Sequence, residues 1–143
     1  MVKILRAAAV AAVLLGISAC SSGGGVGIKE TAQCNPGTAV QLARPSQGQT
    51  GVGAINSVEI VADGNSNVLY QTYQFWQLSA QDSSGNIISG GALSLVADKT
   101  GPQPYPQDFY YSSSFSNLHS GTTYSILLSE SGCQGLNVGS FST

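Results

Sequence analysis

The chain has 143 residues, of which 42% are hydrophobic and only 8% charged, with a formal net charge of −2. Ordinary soluble domains are about 25% charged, so Gly, Ser, Gln and Asn fill the polar positions here and the surface is nearly neutral. With 5 Lys and Arg against 7 Asp and Glu, there is no basic stripe to neutralise phosphates, which excludes nucleic-acid binding as a function class.

Lys3 and Arg6 precede an apolar run over residues 7–16, which closes on Ile17-Ser18-Ala19-Cys20. A basic start, an apolar core of about 7–15 residues and small residues before a cut make an export signal. A membrane-spanning helix needs about 20 apolar residues, and Ser18, Ser21 and Ser22 interrupt this run well short of that. The closing tetrapeptide resembles the bacterial lipoprotein box. That resemblance implies a diacylglycerol thioether on Cys20, cleavage after Ala19 and acylation (palmitate or a similar chain) of the new amino terminus. Two or more acyl chains suffice for stable membrane attachment. Similarity to Gram-negative lipoproteins, with Ser21 rather than Asp after the Cys, implies sorting to the outer membrane of a two-membrane cell. The alternative is an ordinary signal peptide whose Cys is incidental.

This gives three parts: a signal over 1–19, the lipidated Cys with a Gly/Ser tether over 20–28, and one domain over 29–143. Once Cys20 is lipidated, Cys34 and Cys133 are left to pair with each other in an oxidising compartment. A bridge closing a loop of about 100 residues is worth about 4.7 kcal/mol in the chain-entropy model. It would clamp the start of the domain to its last hairpin. The other use of two thiols, a reactive or metal-binding pair, lacks His or further Cys partners.

From residue 29 the text becomes short apolar segments broken by Gly, Asn, Asp, Ser and Pro, the rhythm of a sandwich or barrel of short strands. No helical periodicity shows outside the signal. A first strand is expected over 39–43, ended by Arg44-Pro45. In residues 57–62, Val58, Ile60 and Ala62 alternate with Ser57, Glu59 and Val61, the period of a strand with one buried face. Asp63-Gly64-Asn65 predicts a turn. A long strand is expected over 68–80, with Trp76, Leu78 and Ala80 on one face and Tyr73, Phe75 and Gln77 on the other. A turn over 82–86 leads to Ile87-Ile88, and Gly90-Gly91 leads to a strand over 92–97. The proline-rich residues 101–107 lack the donors of a central strand and read as a loop. Strands are expected over 108–115, 122–130 and 136–142.

The segment Leu118-His119-Ser120-Gly121-Thr122-Thr123-Tyr124-Ser125-Ile126-Leu127-Leu128 resembles the corner before the penultimate strand of fibronectin type III and related immunoglobulin-like domains. The resemblance implies an all-β, antiparallel two-sheet sandwich of about seven strands. It makes Tyr124 the corner tyrosine, its hydroxyl bonded to upstream backbone, with Leu118 the apolar plug and Gly121 the turn. Trp76 takes the place of the core tryptophan. The antibody inter-sheet disulfide has no counterpart, since the strand over 57–62 carries no Cys. The same fold hosts unrelated functions, so the activity has to be read from the residues.

Catalysis by a nucleophile needs a positioned base, and the single histidine, His119, lies inside the corner and reads as a surface loop residue. No Gly-x-Ser-x-Gly elbow occurs. One His and two paired Cys are too few for zinc, and Asp63-Gly64-Asn65-Ser66-Asn67 lacks the Gly and Glu that a calcium loop needs at positions six and twelve. No cofactor and no enzyme activity are expected. Tyr70, Tyr73 and Tyr110 are the candidate binding surface, since alternating strands cannot bury both faces. The expected partners are the membrane, through lipid on Cys20, and an envelope protein or a glycan. The leading reading is a non-catalytic anchored domain for structure or protein interaction. A cell-surface carbohydrate-binding module is the alternative.

Overall fold

Alternation decides the architecture. In residues 57–63, Val58, Ile60 and Ala62 all point into the core, and Tyr124, Ile126 and Leu128 do the same two strands from the end. A strand with one such face has to cover it with another layer of structure. The computed structural model, which describes residues 30–64, 68–96 and 102–143, shows two four-stranded antiparallel sheets.

The described strands are β1 (Val40–Arg44), β2 (Ser57–Asp63), β3 (Gln77–Asp82), β4 (Ile87–Ala92), β5 (Ser94–Val96), β6 (Asp108–Ser114), β7 (Thr123–Ser129) and β8 (Leu136–Ser142). One sheet runs β1-β2-β6-β5 and the other β4-β3-β7-β8. The core between them holds Leu42, Val58, Ile60, Trp76, Leu78, Tyr111, Tyr124, Ile126, Leu128 and Phe141, all nearly sealed from solvent. Across the outer face of β2, Arg44 and Glu59 stand 3.6 Å apart. A pair with its Arg side open to solvent contributes about 1 kcal/mol or less.

The fold corrects two of the expected strands. The long strand over 68–80 does not form. Its first half is a short helix, α1 (Val68–Thr72), followed by a 3₁₀ turn at Tyr73–Phe75, and only then β3. Leu69, Tyr73 and Trp76 stand at helical spacing and pack on the core. The Thr72 hydroxyl donates to the Val68 carbonyl at 2.6 Å and accepts from Trp76 Nε1 at 3.0 Å, so the indole stays satisfied while buried. The strand expected over 92–97 is also divided. β4 ends at Ala92 in one sheet, Leu93 N donates to Trp76 O at 3.1 Å, and β5 continues in the other sheet as its edge.

A second, small cluster lies on the outer face of β2 and β6, where Ala43, Val61 and Tyr110 are buried under Val96 and Tyr105. Val61, assigned by alternation to the polar face, faces Tyr110 in the register. Tyr110 donates its hydroxyl hydrogen to the Pro102 carbonyl. Residues 102–107 form no strand, and they carry both Tyr105 and that carbonyl, so this loop serves as a cover over the sheet.

Candidate functional site

Residues 1–29, which include the signal, Cys20 and the tether, lie outside the described residues. At the described start of the chain, Gln33 makes a parallel bridge with Gln134. Cys34 N donates to Gln134 O at 2.7 Å and Gln134 N to Ala32 O at 2.9 Å. Cys34 and Cys133 form a disulfide with their Cα atoms 4.9 Å apart. Glu30, Thr31, Ala32 and Gly132 line a shallow cleft at the same place. The segment ahead of β1 is therefore fixed to the connection between β7 and β8 both covalently and by ladder bonds.

The corner before β7 is built from local hydrogen bonds. Tyr124 is 1% exposed, and its hydroxyl accepts from His119 N at 2.9 Å. Leu118 packs against the core, and Gly121 takes φ +73°, a conformation that favours glycine. Gly121 N donates to Thr143 O at 2.9 Å, and Thr143 Oγ1 donates to His119 O at 2.5 Å. These bonds fasten the last residue to the corner. The His119 side chain is exposed.

The three tyrosines chosen from the sequence do not share a surface. Tyr70 is 38% exposed on α1 and meets Phe109 edge-on at 4.7 Å between centroids. Tyr73 lies against Tyr111 at 5.6 Å. Tyr110, by contrast, is 1% exposed and sits in the outer cluster, so it is not a surface residue. The reason is the proline-rich loop, whose cover over that face no local pattern reveals.

The next residue along β6, Tyr111, faces the core between the sheets. Its side chain is fully buried, and its hydroxyl has no hydrogen-bond partner among the described residues. Burial, then the neighbouring Tyr70 and Tyr73, push its phenol up to about 12. The phenols of Tyr110 and Tyr105 are also raised, chiefly by burial, with Asp108 beside the first and Asp63 beside the second. In the β3–β4 turn, the Asn86 side chain and backbone lower Asp82. Asp82 Oδ1 accepts from Ser84 N at 2.8 Å and Asn86 N at 2.9 Å, and Oδ2 from Asn86 Nδ2 at 2.8 Å.

Among the described residues, no three His, Cys, Asp or Glu side chains gather as metal ligands. The loop Asp63-Gly64-Asn65-Ser66-Asn67 lies partly outside the described residues. No family model, curated protein or solved structure matches the chain.

Proposed function

We propose that this protein is a lipid-anchored, non-catalytic component of a bacterial envelope, which presents an immunoglobulin-like, fibronectin III-like domain for a structural or protein-interaction role. The observation that carries the reading is the basic start, apolar run and Ile17-Ser18-Ala19-Cys20 box, followed at once by a Gly/Ser stretch. The strand order supports the domain type. β1-β2-β6-β5 takes the A-B-E-D places of an immunoglobulin-like sheet, and β4-β3-β7-β8 takes the C′-C-F-G places. The Tyr124 corner is a further point of likeness.

Protein partnering is favoured over glycan binding by the placement of the aromatics. A sugar-stacking platform needs several exposed rings in a row, whereas Trp76 and Tyr110 are buried and Tyr70 is tilted against Phe109. A pull-down from envelope fractions run beside a glycan array separates the two, with a protein partner and no glycan expected. For the anchor, Cys20→Ala should abolish labelling with radioactive palmitate and release the chain from membranes. Membrane retention without label would refute it.

A further inference from the structure

The exposed large apolar side chains are unevenly placed on the sandwich. Val40 pairs with Ala62 in one sheet and Gln77 with Ser129 in the other, and the Cys34–Cys133 bond and the Leu69 N to Pro36 O bond, at 3.1 Å, tie these strand ends together. One end of the domain therefore holds the start of β1, the end of β2, the start of β3 and the end of β7. α1 and the 3₁₀ turn lie across it: a Cβ on Gly37 would meet Val68 Cγ2 at 3.2 Å, and the turn borders β4 and β5. They present Val68, 48% exposed, Tyr70, 38%, and Phe75, 70%. Of the other exposed large apolar side chains among the described residues, Leu95 stands midway along its sheet opposite Tyr111, and Ile87 is at the far end opposite Gln81.

The tether reaches the domain at this same end, since Glu30 begins the described chain and Cys34 is bonded to Cys133 just beyond β7. Cys20 and Glu30 are ten residues apart. A Gly/Ser-rich linker of that length has a root-mean-square span of about 16–19 Å. A strand of seven residues, such as β7, is about 23 Å long. A bilayer that holds Cys20 thus lies closer to the α1 end than the sandwich is long.

We infer that the α1 end of the domain rests on the phospholipid surface that holds the anchor, with Val68, Tyr70 and Phe75 entering its headgroup layer. The inference goes beyond the proposed function and rests on the lipid-anchor part of it. The tether selects the occupant, because a short flexible linker keeps the bilayer beside this patch at an effective concentration in the mM range. Three side chains bind a surface only weakly on their own, and the tether makes weak contact sufficient. Their chemistry fits the interface: Phe75 and Val68 offer apolar area to the acyl boundary, and Tyr70 an apolar ring with a polar tip. The whole chain has 5 Lys and Arg and no cluster of them, so the surface it fits is zwitterionic rather than anionic. With this end down, the Tyr124 corner and the β3–β4 turn face away from the membrane.

Hydroxyl-radical footprinting of the lipidated chain on phosphatidylcholine vesicles tests this, with the Cys20→Ala chain in buffer as the free reference and the exposed His119, at the far end, as internal control. Oxidation of Phe75 and Tyr70 should fall about threefold or more on the vesicles, as for a patch occupied most of the time, while His119 is unchanged. Phe75→Ser, at an exposed position, should keep the wild-type urea midpoint and separates seating from shading by a nearby vesicle, since Tyr70 should regain most of its free rate. If the midpoint moves, Val68→Ser replaces it. Phe75 and Tyr70 that react as fast on vesicles as in buffer overturn the inference, as does a Tyr70 that stays protected in the variant, or equal protection of His119. Each of these leaves palmitate labelling of Cys20 intact, so the anchor survives them, whereas a chain that takes no label refutes both.

Discussion

Tyr124 and Tyr111 are both buried against the same core, and their hydroxyls meet different surroundings. Tyr124 accepts from His119 N at 2.9 Å, whereas Tyr111 Oη has no partner among the described residues. A buried polar group that loses its partner costs about 1–3 kcal/mol, while removing a group that had none costs little. Tyr124→Phe should therefore lower the unfolding free energy by about 1–2 kcal/mol, and Tyr111→Phe should leave it unchanged or raise it by about 1 kcal/mol. Urea titration of the two variants near neutral pH checks both signs. Alkaline titration gives an independent reading of Tyr111. Its phenol is raised in the folded state from 10.0 to about 12, so the native chain holds a proton that the unfolded chain has released. Stability from this source is complete below about pH 10 and is lost as pH rises toward about 12. Tyr111→Phe should flatten that fall, leaving the smaller part due to Tyr105 and Tyr110, whose phenols are also raised.

The passage of β4 across the end of the sandwich depends on one missing side chain. A Cβ at Gly90 would meet Ser113 Oγ at 2.5 Å, Leu78 O at 2.8 Å and Phe115 Cζ at 2.8 Å, so β4 can approach β6 only because that position is bare. Gly90→Ala should cost about 1–3 kcal/mol, the usual penalty for overpacking a filled core. Gly53→Ala, where a Cβ meets nothing within 4 Å, should fall within about 0.5 kcal/mol of wild type. Comparing the two urea midpoints checks this. The same crossing marks where the sequence stopped being legible. β2, β3 and β7 could be read because alternate residues such as Val58, Ile60, Leu78, Ala80, Ile126 and Leu128 fill one core. The corner could be read because its bonds are local. In residues 68–76 two periods overlap. Tyr and Phe favour strands, but Leu69, Tyr73 and Trp76 recur at i, i+4 and i+7, and Thr72 bonds back one helical turn. Core packing then selects the helix. Where β4 gives way to β5, the text is Gly, Ala, Leu and Ser, and which sheet each half joins is set by partners far along the chain. Tyr110 and Val61 were misjudged for the same reason, since the cover over them comes from residues 102–107.

Across the whole molecule, the disulfide and the Gln33–Gln134 bridge do different work although they stand side by side. The ladder bonds join two short segments and open with them. The Cys34–Cys133 bond spans 99 residues, from before β1 to beyond β7, so it restricts nearly the entire unfolded domain. Chain entropy puts that at about 4.7 kcal/mol, and measured losses on removing such bonds run at about 2–5 kcal/mol. Cys34→Ala/Cys133→Ala should lower global stability by this amount, and amide hydrogen exchange shows where the loss falls. If the bond acts on the unfolded ensemble, the slowest amides, those of β3 and β7, accelerate by the same free energy that urea unfolding reports. If it only pins the segment ahead of β1, Cys34 N is lost from the ladder, Gln134 exchanges faster, and the sheet interior is unchanged. The first outcome is expected, because the loop it closes contains every described strand but β8. It follows that a reducing environment should loosen the whole sandwich, and that an oxidising one keeps it closed.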